Sequence, residues 1–170
     1  MNAIESVAPK AVRKPFEFFV PGVPQPKGSP SIMRHRGTGR PFVLENEPSR
    51  AWASHVNLEA IRKVNQRGAW DPSGGFSVFL AFQFLRPRTS KRPHPTVKPD
   101  LDKLARNVLD ALTGALWTDD AQVLQIVTVK FYRGMPGVWI RVANILESDP
   151  TPPRLRGSRR RPDLEPGLSR

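Results

Sequence analysis

The sequence predicts an α+β fold in the order β-α-β-α-β-β, with one mixed or mainly antiparallel sheet and helices packed on one face. Three observations carry this expectation. A chain of 170 residues is one domain's worth. Two stretches of helical periodicity are separated by strand-like apolar runs. The last two strand-like runs are joined by the short turn Arg133 to Gly137 and read as a closing hairpin.

The elements follow in order. Phe16 to Val20 is a short apolar strand stopped by Pro21-Gly22. The segment VPQPKGSPSIMRHRGTGRP is rich in Pro, Gly and basic residues and reads as a loop. Ser49 is the expected N-cap of a helix to about Gln66, with Trp52, Val56, Ala60 and Val64 on one i+4 row. Phe76 to Leu85 is a long strand, apolar enough on both faces to be central. A basic, proline-rich loop leads to a helix over about Leu101 to Ala115, where Leu101, Leu104, Ala105, Val108, Leu109 and Leu112 build one apolar stripe. Val123 to Tyr132 is a β-branched strand, and Arg133 to Gly137 turns it into a closing strand, Val138 to Ile145. Residues 15–146 are thus the folded domain. Residues 1–14 lack periodicity and read as a flexible arm. Residues 147–170 carry too few apolar side chains to build a core and read as a disordered basic tail.

Composition narrows the function. There is no cysteine, which excludes disulfides, thiolate metal sites and cysteine nucleophiles. No apolar run has the roughly 18 residues that read as a membrane span, and the N-terminus lacks the apolar core of a signal peptide. The expected setting is the cytoplasm of a bacterium or a phage-infected cell. Lys and Arg exceed Asp and Glu by 27 to 15, a net charge of +12, which points to a polyanionic partner. From Thr151 onward six arginines face only Asp163 and Glu165, a net +4. Residues 1–150 keep the remaining +8, so the folded part is basic in its own right.

Carboxylates are scarce on such a chain, and four of them bracket one helix. Asp100 and Asp102 open it in KPDLDKLARNVLDAL, and Asp119 and Asp120 follow it in LWTDDAQV. Hard oxygen ligands of this kind suit Mg²⁺ or Mn²⁺, which on a phosphodiester polarises the phosphoryl oxygen and helps ionise water. Lys103 and Arg106 lie on the same helix, and Arg106 is one turn beyond Asp102. Each acidic pair also has an ordinary structural reading, as a helix cap or a turn.

The stretch KPDLDKLARNVLDALTGALWTDDAQV resembles the signature of the RusA-type Holliday junction resolvases: Asp-Leu-Asp, a helical stretch with a basic residue, Asp-Ala-Leu, then Asp-Asp-Ala-Gln. The resemblance extends upstream through PGVPQPKGSP to the first strand and downstream to the closing hairpin, about residues 16–146. It implies a homodimeric, Mg²⁺-dependent endonuclease that binds four-way DNA junctions and nicks opposing strands symmetrically. The family's essential carboxylates fall on Asp100, Asp102 and Asp120. Its essential basic residue, usually Lys, falls on Arg106, and its Asn after the second Asp falls on Lys103. Arg106 keeps the charge but cannot release a proton, so the catalytic cation lies with either Arg106 or Lys103. Asp110 is expected to be structural, paired with Arg106 at i, i+4.

The basic loops are expected to hold DNA phosphates: Lys27, Arg34, Arg36 and Arg40 on the first, and Arg86, Arg88, Lys91, Arg92 and Lys98 on the second. The simplest arrangement has Asp120 joining Asp100 and Asp102 of its own chain, which needs either a steep fold-back after the helix or an early helix end near Thr113-Gly114. Otherwise the partner subunit supplies it. Two rival readings are a non-catalytic nucleic-acid-binding protein and a nuclease for other branched or single-stranded DNA.

Overall fold

The computed structural model describes residues 14–28, 31–44, 46–68 and 70–145. The arm (all but Lys14) and the tail expected from the sequence lie outside the described residues. The elements are β1 (Phe16–Pro21), β2 (Ser31–Arg34), β3 (Pro41–Leu44), α1 (Glu47–Arg67), β4 (Gly75–Phe84), α2 (Leu101–Leu112), a short 3-10 turn (Asp120–Gln122), β5 (Val123–Tyr132) and β6 (Gly137–Ile145). The main sheet runs β1-β6-β4-β5. Its β4–β5 pair is parallel and the others antiparallel. This is the mixed α+β architecture the sequence predicts.

Alternation along the strands decides which face is covered. Phe16, Phe18 and Val20, Phe76, Val78, Leu80 and Phe82, and Val138, Ile140 and Val142 are buried on one face. Trp52, Val56 and Ala60 of α1 and Leu104, Val108, Ala111 and Leu112 of α2 complete that core. The other face also carries large apolar groups, but they stay partly exposed: Phe79, Val127, Val129 and Trp139.

Four local expectations are corrected. The last two strands do not form the expected hairpin: β4 lies between β5 and β6, and the link after Tyr132 passes the end of β4, where Arg133 N donates to Phe84 O at 2.9 Å. The segment read as a loop contains a β2–β3 hairpin, paired from Ser31↔Leu44 to Arg34↔Pro41 and separate from the main sheet. Its strands are four residues long, too short to show a period. Helix α1 starts earlier than Ser49: Asn46 is its N-cap and a proline occupies the first turn, where a missing N–H costs nothing. Ser49 is instead a buried residue of the helix. Helix α2 stops at Leu112, with Thr113 already extended and Gly114 at positive φ.

The β4-α2-β5 path is a parallel crossover, and it sets the position of the functional residues. Helix α2 runs back from the Phe84 end of the sheet to the Gly75 end before β5 begins. Two tethers fix these ends. Gln122 Nε2 donates to Pro72 O at 2.9 Å and Gly74 O at 3.1 Å. Ten residues beyond Asp120, Lys130 Nζ donates to Val97 O at 2.9 Å and Pro99 O at 2.8 Å.

Candidate active site

Asp100 stands at the N-cap of α2, yet its side chain makes no capping hydrogen bond. The ordinary structural reading of an Asp in this position therefore does not account for it. Its carboxylate lies 3.5 Å from Lys103 Nζ. Asp102, two residues on, is exposed in the first turn and has no ion-pair or hydrogen-bond partner among the described residues. Both are attracted by the positive helix end. Asp100 also lines a cleft of about 450 Å³, bounded by the Val23–Pro26 segment, Phe84, Lys98, Pro99 and Lys103.

The second acidic pair divides cleanly. Asp119 is structural: its Oδ1 accepts from Ala121 N at 2.8 Å, and Gln122 Oε1 accepts from Thr118 N and Asp119 N, a reciprocal capping box. Asp120 is exposed, and its side chain has no partner among the described residues. One of the two carboxylates is engaged in the fold and the other is not.

Asp120 does not join Asp100 and Asp102 within the chain. It sits where β5 begins, beside Gly74, while Asp100 sits beside Phe84. The ten residues of β4 separate those two ends, a span of roughly 30 Å. The helix does end early, at Leu112, but with β5 parallel to β4 this does not bring Asp120 back to Asp100. Among the described residues no three His, Asp or Glu side chains gather to hold a metal.

The cations are also sorted. Arg106 is exposed and makes no ion pair among the described residues. Its expected partner Asp110 is instead 3.1 Å from Lys27 Nζ, because the Gln25–Lys27 segment is strapped along α2. Lys27 N donates to Lys103 O at 2.9 Å, and Asn107 Nδ2 donates to Gln25 O at 2.9 Å and Ser49 O at 3.2 Å. Buried Asn107 thus ties α2 to both the strap and α1, a role that Asn107's place inside an apolar helix pattern did not announce. Lys27 consequently has a structural partner as well as a half-exposed side chain. Arg34, Arg36, Arg40, Arg86, Arg88, Lys91, Arg92 and Lys98 are all exposed, the first three on the hairpin and the rest between β4 and α2.

Over residues 21–143 the chain matches the family model described as "Endodeoxyribonuclease RusA". It is also 37% identical over 51 residues to "Uncharacterized protein YqaN" of Bacillus subtilis (strain 168), a stretch covering 30% of this chain and 36% of that protein. The chain thus aligns with about a third of the length of that curated relative. With the family model spanning both helices and the sheet that joins them, the chain belongs to the RusA endodeoxyribonuclease family.

Proposed function

We propose that the protein is a Mg²⁺-dependent endodeoxyribonuclease that resolves four-way DNA junctions as a homodimer, cutting opposing strands symmetrically. The observation that carries this reading is the state of the acidic residues. Asp119 and Asp110 are engaged in capping and ion pairing, whereas Asp102 and Asp120 are exposed without partners among the described residues, and Asp100 leaves its cap position unused. Unspent carboxylates on a chain of net charge +12 oppose the attraction of DNA unless a cation sits between them and the phosphate.

In this reading each metal is held by Asp100 and Asp102 of one subunit and Asp120 of the other. Strand β5 supports it, since it lies at the sheet edge with Leu124 67% exposed and Ile126, Val127 and Val129 also open. Antiparallel pairing of two such edges about a two-fold axis brings the Asp120 end of one β5 to the Lys130 end of the other, next to Pro99 and Asp100. The same pairing covers an otherwise apolar, open strand edge.

The metal, when bound, draws charge from the phosphoryl oxygens and eases ionisation of the attacking water. The chain's own residues do the rest. The three carboxylates hold the cation against the basic cleft. Lys98, at the cleft mouth, and Arg106, on the exposed side of α2, take phosphate oxygens and fix the backbone. Arg106 is the better transition-state cation, because Lys103 already faces Asp100. Two such sites related by a two-fold axis match the symmetry of a four-way junction and account for paired nicks. A synthetic junction incubated with Mg²⁺ tests this reading. Wild-type protein nicks two opposing strands and Asp102→Asn protein nicks none; equal cutting by both, or none by wild type, contradicts it.

A further inference from the structure

We propose that the β2–β3 hairpin is a grip on a DNA duplex arm, holding it a few base pairs away from the scissile phosphate. The proposal rests on the nuclease reading above and adds a place where the substrate is held apart from the chemistry.

The hairpin's composition is one-sided. Residues 31–44 contain Arg34, Arg36 and Arg40 and no Asp or Glu. All three arginines are exposed. The turn between the strands is nevertheless built: His35 N donates to Arg40 O at 3.0 Å, Gly39 N donates to His35 O at 2.9 Å, and Arg34 Nη1 donates to Gly39 O at 3.3 Å. Gly39 has φ 66°, the left-handed conformation that this reversal requires. A folded turn therefore presents the arginines together.

The hairpin stands on its own two-stranded sheet. Such a hairpin is marginal in water unless something packs on it. Its roots, by contrast, are fixed against the active-site helix. On one side Lys27 N is bonded to Lys103 O. On the other, Gly28 approaches Asn46 so closely that an added Cβ would lie 2.8 Å from Asn46 Cβ, so the outgoing and returning chains touch there. The spur thus departs within one turn of Asp100 and Asp102.

Shape and chemistry select the ligand. A two-stranded ribbon fits the roughly 12 Å width of a DNA major groove. Residues 34–40 include no Phe, Tyr or Trp on which unpaired bases would stack, which favours duplex over single strand. Four-residue strands reach about 13 Å, so the arginines meet phosphates about four base pairs from the cut.

Hydroxyl-radical footprinting and a salt titration test this, using the full chain on a fixed junction in metal-free buffer so that the DNA stays intact. The variant Arg34→Ala/Arg36→Ala/Arg40→Ala loses protection about four base pairs from the cut positions. In the dimer six arginines are lost, so the slope of log affinity against log salt is shallower by up to about 5.4, and between 50 and 200 mM salt wild type loses up to about 1,800-fold more affinity than the variant. The matching triple lysine variant keeps the footprint and most of the slope. If the triple alanine variant melts early, Arg36→Ala alone carries the test, with a slope change of up to about 1.8 for the two subunits. An unchanged footprint and slope in a folded alanine variant of a wild type that cuts overturns the grip alone. A wild type that neither binds nor cuts overturns both readings.

Discussion

The Lys130 ammonium donates to Pro99 O at 2.8 Å, pinning the downstream half of β5 to the residue before Asp100. Asp120 lies ten positions earlier, in the short turn just before the opposite end of the same strand. Helix α2 therefore has one acidic pair beyond each end, and within one subunit Asp120 stays apart from Asp100 and Asp102.

The carboxylates should separate by role. Asp100→Asn, Asp102→Asn and Asp120→Asn should each slow junction cleavage on the order of a thousandfold or more, the scale of losing a key electrostatic group. Binding should persist in each, since a negative charge near phosphate is removed. Asp119→Asn should cut nearly normally because Asn also caps; Asp119→Ala should lower stability by about 1 kcal/mol. Single-turnover cleavage beside thermal melts reads both effects, and an inactive but stable Asp119→Asn protein would reverse the assignment of the two neighbours.

The two cations make a second test. Arg106 is without an ion pair among the described residues, while Lys103 faces Asp100 at 3.5 Å. Arg106→Ala should lose most cleavage, about a hundredfold, and Arg106→Lys should recover much of it. Lys103→Ala should lose little. The opposite ranking would move the catalytic charge one turn toward the start of α2.

Asn107 offers a stability test away from the chemistry. Asn107→Ala leaves the carbonyls of Gln25 and Ser49 without their donor, at a cost of about 1–3 kcal/mol for each left buried and unpaired. It should also loosen the strap that carries Lys27. Denaturant unfolding should show the loss; an unchanged midpoint would mean that water replaces both bonds.

Much of this fold is legible in the sequence because its elements are long and strongly periodic. Phe76 to Phe82 alternates and Leu104 to Leu112 follows a helical stripe, and both bury as expected. Short-range and long-range features are harder. Hairpin strands of four residues lie in a Pro- and Gly-rich segment and show no period. Asn46 rather than Ser49 begins α1 because Pro48 already lies in the first turn, while Ser49 is drawn inward by the bond from Asn107 to its carbonyl, a contact between helices far apart in sequence. The site residues are legible as types and spacing, but not the distance between Asp102 and Asp120. That distance follows from β4 and β5 being parallel, and nothing local in either strand specifies its partner's direction.

The edge of β5 gives a fourth prediction. Ile126 is 41% exposed, so Ile126→Lys should cost the subunit little. Near a two-fold axis it sets like charges against each other, so it should weaken dimerisation and cleavage together. Light scattering at several concentrations checks this. A fully active monomer, or a dimer untouched by the change, would move the interface elsewhere.

The most direct test of the shared site is complementation between two dead proteins. Asp102→Asn and Asp120→Asn protein are mixed under conditions that exchange subunits, and nicking of a synthetic junction with Mg²⁺ is measured. With shared sites, one of the two sites in each heterodimer has all three carboxylates intact, and the mixture nicks one strand per junction where neither parent cuts. If the heterodimers form and stay inactive, Asp120 serves its own chain and the shared site is wrong.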